Sequence, residues 1–128
     1  MATEWLGKLG AEAMPAAYAG LDIVVVPSLV RPGWAEQFGR VVCEAMLSGV
    51  PVVASDSGAL LEVVGDAGVM VRELDYSGLH ATLQRLAEDP GERKRLGILG
   101  RAWAQSDLVP DAAAARLRTM WRAVALAS

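Results

Sequence analysis

The sequence contains one cysteine and one histidine in 128 residues. A single thiol closes no internal disulfide, so the expected compartment is reducing and the expected location cytoplasmic. His80 stands in a helical stretch without a metal-ligand pattern, and its expected role is surface or helix packing. Long apolar runs are also lacking. The longest, such as residues 23–27, fall far short of a membrane span, and Glu4 and Lys8 break up any secretory pattern at the start. Charge of one sign is scarce too. A net charge of −3 gives no reason to expect nucleic acid or an anionic membrane surface as a partner. No internal repeat, low-complexity tract or linker divides the chain, so residues 1–128 read as one small globular domain.

What is present is a pattern of short β-branched runs followed by helical periodicity. The stretch 22-DIVVVPS-28 reads as a strand buried on both faces and stopped by Pro27 and Ser28. The stretch 51-PVVAS-55 reads the same way, and 68-GVMV-71 more weakly. Residues 38–48, apolar almost all round and closed by Gly49 as a C′ glycine, form the helix between the first two. A buried strand, a helix and a second buried strand make a βαβ unit, hence a parallel sheet. Upstream, 11-AEAMPAAYAG-20 suggests a short helix leading into the first strand. Downstream, Asp75 or Ser77 caps a helix with Leu79, Leu83 and Leu86 on one face. Asp89-Pro90-Gly91-Glu92 then places an N-cap, a proline at N1 and a glutamate at N3 ahead of an inward stripe of Leu96, Leu99 and Trp103. Pro110 opens a last helix with Leu117, Met120, Trp121 and Val124 facing inward. The basic run Arg93-Lys94-Arg95 reads as a wet helix face.

The stretch 35-AEQFGRVVCEAM-46 raises a chemical question, because Glu44 stands among Val41, Val42, Cys43, Ala45 and Met46. In open parallel sheets, ligands bind where strand C-termini meet helix N-termini. The loop over residues 27–37 lies at such an end, and the helix after it begins near Phe38-Gly39. Its free N–H groups and positive dipole end favour an anion such as a phosphate. Glu36 sits at the mouth and Glu44 about one and a half turns inside. Paired carboxylate oxygens suit the paired hydroxyls of a sugar or ribose. Set against this, Glu44 pairs with Arg40 at i,i+4 on a solvent-facing edge about as readily on pattern alone. Glu36 taken singly is a solvated loop residue, and Cys43 is a small core hydrophobe. Spacing alone supports a phosphate- or nucleotide-binding α/β domain.

The succession 22-DIVVVPS-28, 36-EQFGRVVCEAMLSGVPVVASDSG-58, 62-EVVGDAGVMV-71 and 89-DPGERKRLG-97 resembles the C-terminal domain of retaining GT-B glycosyltransferases (family 4, glycosyl transferases group 1). The likeness runs from about Trp5 to Trp121. Its most specific part is two glutamates framing Phe-Gly, followed by Glu-Ala-Met, Gly and Pro-Val-Val-Ala. The resemblance implies an α/β fold: a partial Rossmann-like parallel sheet of about three to four strands with C-terminal helices. It implies a nucleotide-diphosphate sugar as donor, transfer of the sugar to an acceptor hydroxyl with retained configuration, and no metal or other cofactor. Glu36 takes the catalytic position at the donor sugar's hydroxyls, Phe38, Gly39 and Arg40 lie against the sugar and diphosphate, and Glu44 binds the ribose. On this reading Glu44 is tolerated among apolar neighbours because the nucleoside supplies its hydrogen-bonding partners. A glycoside hydrolase fits poorly, since its two carboxylates must flank one bond. A nucleotide-sugar epimerase of the same architecture is disfavoured by the paired glutamates.

The resemblance also implies what is missing. Relatives bind the donor between two domains, and the acceptor domain and the arginine and lysine that grip the diphosphate have no counterpart here. In the strand order 3-2-1-4-5-6, the strand near Trp5 is strand 3 and residues 22–26 are strand 4, without strands 1 and 2 between them. That leaves an unpaired apolar edge, to be met by another copy or by a separately encoded acceptor domain. The competing expectation is a non-catalytic remnant or nucleotide-binding module. Two departures from the family stand near the site. Gly58-Ala59-Leu60-Leu61 replaces two glycines and a proline before Glu62, and 29-LVRPGWA-35 is longer than in many relatives. Trp34 either covers the sugar or packs.

Overall fold

The computed structural model describes residues 2–111. Its centre is a sheet of three parallel strands, β1 (Val24–Val26), β2 (Val52–Ser55) and β3 (Val69–Val71), in the order β1-β2-β3. Val24 pairs with Val52, and Val53 with Val69. Helices α1 (Met14–Ala19), α2 (Arg40–Leu47), α3 (Leu60–Val64), α4 (Tyr76–Glu88) and α5 (Pro90–Trp103) surround it. Short 3-10 and π turns follow α3 and α5. None of the described helices is long and apolar enough to cross a membrane. The α/β class and the parallel sheet expected from the sequence are what the chain forms. Residues 2–9 contain no strand, and Trp5 is 92% exposed, so the strand expected near Trp5 is absent there. With no neighbouring strand to pair with, the backbone at Trp5 gains nothing from extension.

The central strand has both faces covered, and all four of its residues are buried. On one face Val52 and Ala54 join Val42, Ala45 and Met46 of α2 with Leu60, Val63 and Val64 of α3. On the other, Val53 packs with Leu86 of α4 and Leu96 of α5, flanked by Leu79 and Leu83. The first strand departs from the sequence expectation of burial on both faces. Val24 is buried, but Val25 is 37% exposed. Register explains this. Val25 lies beside Val53 on the α4–α5 face, but β1 is an edge strand, and there Ile23 packs against the α4–α5 cluster while Val25 does not.

Helix α2 is shorter and more one-sided than its composition suggests. Val42, Ala45 and Met46 are buried, while Phe38 and Val41 are exposed. Its end is a Schellman motif. Gly49, at φ 75°, donates to the Met46 carbonyl at 2.9 Å, and Val50 donates to the Ala45 carbonyl at 3.0 Å. Helix α3 was not foreseen, because five residues are too few to show a period. Helices α4 and α5 start where their capping residues stand: Asp75 accepts from Gly78 N at 2.8 Å, and Asp89 from Glu92 N at 2.9 Å.

The inward stripe of α5 differs from the leucine pattern. Leu96 is buried, but Leu99 is exposed, and the buried positions beside Leu96 are Gly97 and Gly100. The reason is close approach: a Cβ on Gly97 would run into the Gly49 carbonyl oxygen. Trp103 ends the helix with its indole Nε1 donating to Val63 O at 2.8 Å. The basic run is not simply a wet face. The Arg93 guanidinium caps the end of α4 by donating to the Leu86 and Ala87 carbonyls at 2.6 and 2.9 Å. Arg95 pairs with Glu92 at 2.7 Å and holds its carboxyl below the ordinary value. The last helix expected from Pro110, with Leu117, Met120, Trp121 and Val124, lies outside the described residues.

The glycine contact yields a sign test. Replacing a helix-interior glycine by alanine ordinarily stabilises by roughly 0.5–1 kcal/mol. At Gly97 the added methyl meets backbone, which cannot swing aside, so Gly97→Ala is expected to destabilise by about 1–3 kcal/mol. Urea denaturation followed by circular dichroism measures it; a neutral or stabilising result would mean that α5 does not approach Gly49 this closely.

Candidate functional site

Because all three strands are parallel, the loops leaving them gather at one end of the sheet, where polar side chains tie them together. Ser55, the last residue of β2, donates its hydroxyl to the carbonyls of Val26, at 3.4 Å, and Ser28. Asp56 accepts from Glu73 N at 2.8 Å, and the Glu73 carboxylate in turn accepts from Val30 N at 3.0 Å. The loop after β1 is thus held by residues that follow β2 and β3. Within it, Arg31 and Trp34 exchange backbone hydrogen bonds of 2.9 Å around Pro32-Gly33. Gly33 at φ 77° supplies the positive φ that a Pro-Gly turn needs at its third position. Trp34 is exposed on this turn and does not serve the core. Ser55, Asp56 and Glu73 were not singled out by sequence reasoning; the signal available was their position just past strand ends.

Glu36 is fixed from two directions. Its carbonyl accepts from Ala59 N at 2.8 Å, and Gly58, at φ 55°, lies so close that a Cβ there would stand 2.5 Å from that carbonyl oxygen. Position 58 must therefore be glycine for Glu36 to keep its place. Its side chain turns back on its own loop: Oε1 accepts from Gly39 N at 2.9 Å and from Phe38 N at 3.4 Å. This puts a carboxylate at the positive end of α2, which is electrostatically favourable. Gly39, the N-cap, is left-handed (φ 67°, ψ 49°) and buried, with the place of a Cβ taken by Leu60 Cδ2 at 3.0 Å. Two N–H groups that the sequence reading offered to an anion are thus engaged by Glu36 itself.

Glu44 lies on the half-exposed flank of α2, not in the core. Oε2 accepts from the Tyr18 hydroxyl at 3.1 Å, and Oε1 lies 3.6 Å from Arg40. The Glu44 side chain is 37% exposed and that of Arg40 82%. The chain's own tyrosine and arginine therefore supply its partners, and tolerance of the carboxylate does not require a nucleoside. The i,i+4 pairing weighed from the sequence is present, though at 3.6 Å it is a loose ion pair. These residues line a groove of about 680 Å³ between α1 and α2, with Met14, Pro15 and Leu47 forming apolar walls. That size is in the range of ligand sites, and apolar walls with a few convergent polar groups are their usual composition.

The structure thus brings Glu44 and Arg40 into one groove, and places Glu36, Phe38 and Gly39 together at the start of the same helix. Glu36, Phe38 and Gly39 do not line that groove. Cys43 is half-buried; desolvation, with the nearby Glu44 charge, pushes its thiol up, in keeping with an inert packing role. Among the described residues, no group of three or more His, Cys, Asp or Glu side chains is placed to hold a metal ion.

Burial, reinforced by the hydrogen bond to Glu44, pushes the Tyr18 hydroxyl up to about 12. A pKa raised in the folded state contributes stability that is fully present below the unfolded value near 10 and is lost as pH rises toward 12. Stability of the chain is therefore expected to fall by roughly 2 kcal/mol across that window. In Tyr18→Phe this part of the pH profile should flatten. Denaturant titrations at pH 9, 10.5 and 12 measure it, and an unchanged profile in the variant would assign the loss to other groups.

Comparison with known proteins matches residues 2–89 to the family described as "Glycosyl transferases group 1". The chain is 42% identical over 96 residues to an MMP alpha-(1->4)-mannosyltransferase of Mycolicibacterium hassiacum, which covers 73% of this chain and 22% of that protein. It is 36% identical over 107 residues to a GDP-mannose-dependent monoacylated alpha-(1-6)-phosphatidylinositol monomannoside mannosyltransferase of Corynebacterium glutamicum, covering 81% of this chain and 28% of that protein. Among solved structures, sucrose-phosphate synthase from Thermosynechococcus elongatus superposes with a TM-score of 0.75 at 31% identity, over 96% of this chain and 30% of that one. The chain spans about a quarter of the length of the curated relatives it matches. With its parallel sheet, its Glu36 and Glu44 around one helix start and this match over most of its length, the chain belongs to the group 1 glycosyl transferases.

Proposed function

We propose that this chain is the donor-binding part of a retaining glycosyltransferase, holding a nucleotide-diphosphate sugar while the sugar passes to an acceptor hydroxyl. The reading is carried by two glutamates placed at and within the start of α2, at the ligand-binding end of a parallel sheet, in a chain of this family. Glu44, in the groove beside α1, serves the ribose. Glu36, Phe38, Gly39 and Arg40 serve the donor sugar and diphosphate, with Glu36 nearest the reacting carbon. In the reaction the bond from the anomeric carbon to the diphosphate oxygen breaks and a bond to the acceptor oxygen forms. The acceptor's proton leaves with the departing phosphate, and no metal is needed. Several relatives are named for GDP-mannose, which makes guanosine diphosphate the first nucleotide to test. The expected compartment is the cytoplasm.

The chain spans about a quarter of the length of its matched relatives, and the acceptor is proposed to be presented by an acceptor domain or by another copy of the chain. Of the two edge strands, β1 is proposed to receive it, because Val25 and the nearby Leu21 are exposed there. A second reading, a nucleotide-binding module without catalysis, is favoured by the way Glu36 already spends its carboxylate on the backbone of its own loop.

Calorimetric titration with guanosine, uridine and adenosine diphosphates tests the site. One of them should bind, and Glu44→Gln should weaken it about tenfold or more, the effect of losing hydrogen bonds to a charged group. A folded chain that binds none would end the donor-site reading. Sedimentation at rising concentration tests the edge: association is expected, and a monomer throughout would remove pairing between copies.

A further inference from the structure

The groove beside α1 contains a group with no assigned task. Tyr18 is 5% exposed and packs in the main core cluster, yet its hydroxyl reaches out of that core to Glu44 Oε2 at 3.1 Å. It belongs to α1, a six-residue helix with Pro15 in its first turn, and it meets Glu44 from 26 residues away in the chain. The other neighbour, Arg40, is far less fixed. Its side chain is 82% exposed, and 3.6 Å is beyond hydrogen-bond length. One oxygen of Glu44 is therefore held by a buried, rigid donor, and the other faces a solvated arginine.

From this asymmetry we infer that Tyr18 is a positioning residue: its hydroxyl sets the plane of the Glu44 carboxylate so that the group meets two ribose hydroxyls together. The inference rests on the donor-site reading above. A carboxylate accepts about four hydrogen bonds through its two oxygens, so the bond from Tyr18 leaves room for both hydroxyls. Without it, Glu44 turns freely about its side-chain torsions, and that freedom must be lost when ligand binds. A phenol anchored in the core does this better than a flexible surface cation, because its own position costs nothing further at binding. Tyr18 and Met14 pack into the main core on one side, while Met14, Pro15 and Tyr18 line the groove on the other.

The test compares guanosine diphosphate with 2′,3′-dideoxyguanosine diphosphate on the full chain, or uridine or adenosine analogues if that base binds instead. The unmodified protein should prefer the ribonucleotide about tenfold or more. Tyr18→Phe, checked for intact fold by circular dichroism, should weaken the ribonucleotide by about five- to tenfold and leave the dideoxy analogue unchanged. The double variant Tyr18→Phe with Glu44→Gln should be no weaker than Glu44→Gln alone, since the tyrosine acts only through the carboxylate. Equal loss of both ligands in Tyr18→Phe, or full retention of the preference, would overturn the positioning role while the donor site stands. An unmodified chain that binds no diphosphate, or shows no preference for the ribonucleotide, would overturn the donor-site reading and this role with it. If Tyr18→Phe does not fold, the same comparison is made with 3-fluorotyrosine at position 18. A change in the ribonucleotide preference alone supports the role, and an unchanged preference counts against it.

Discussion

Everything in this molecule rests on the complete burial of β2. Three strands make a narrow sheet, and only the central one can be covered on both faces and paired on both edges. Val52 and Ala54 collect α2 and α3 on one side, and Val53 collects α4 and α5 on the other. Ser55, at the end of the strand, then uses its hydroxyl to hold the loop that leaves β1. The hydrophobic and polar roles divide along four consecutive residues. That is why the site end of the sheet is ordered even though the sheet is small.

The glutamates depend on this arrangement in different ways. Glu36 is placed by backbone: its carbonyl is bonded to Ala59, its surroundings are crowded by Gly58, and its carboxylate folds over the start of α2. Glu44 is placed by side chains: a core tyrosine holds one oxygen and an exposed arginine attends the other. Both sit on the frame made by α2, whose inner face is locked by Met46 and whose end is closed by Gly49 and Val50. Helix α5 presses against that closure through Gly97, buries Leu96 on the other face of the sheet, and leads into Ala104, which is buried in the same cluster as Met46. The position of the site is therefore coupled to contacts at the opposite end of α2.

Much of this was legible in the sequence. The three strands, the helix between the first two, both aspartate caps and the C′ glycine stand where β-branched runs, capping residues and Gly49 put them, because each is dictated by neighbours in the chain. The misses share a cause. Leu99 reads as core by periodicity, but α5 approaches its neighbours so closely that glycine takes the inward face. Val25 reads as buried by composition, but its cover depends on how many strands and helices flank it. The pair Glu36 and Glu44 was visible as spacing, while Tyr18, 26 residues from its partner, was not. Contacts between distant segments leave no local period to read.

The exposed edge of β1 has a consequence for how the protein breathes. In a parallel pair, alternate residues turn both N–H and C=O toward the partner strand and the rest turn both away. Val24 donates to Pro51 across the ladder, so the peptide groups of Val25 point outward, alongside a side chain that is also exposed. One strand thus contains two kinds of amide. Those of Val24 and Val26 open to solvent only when the sheet itself comes apart. Among the described residues that of Val25 has no strand opposite it, so in a chain with nothing bound at this edge it exchanges its hydrogen without waiting for any such event.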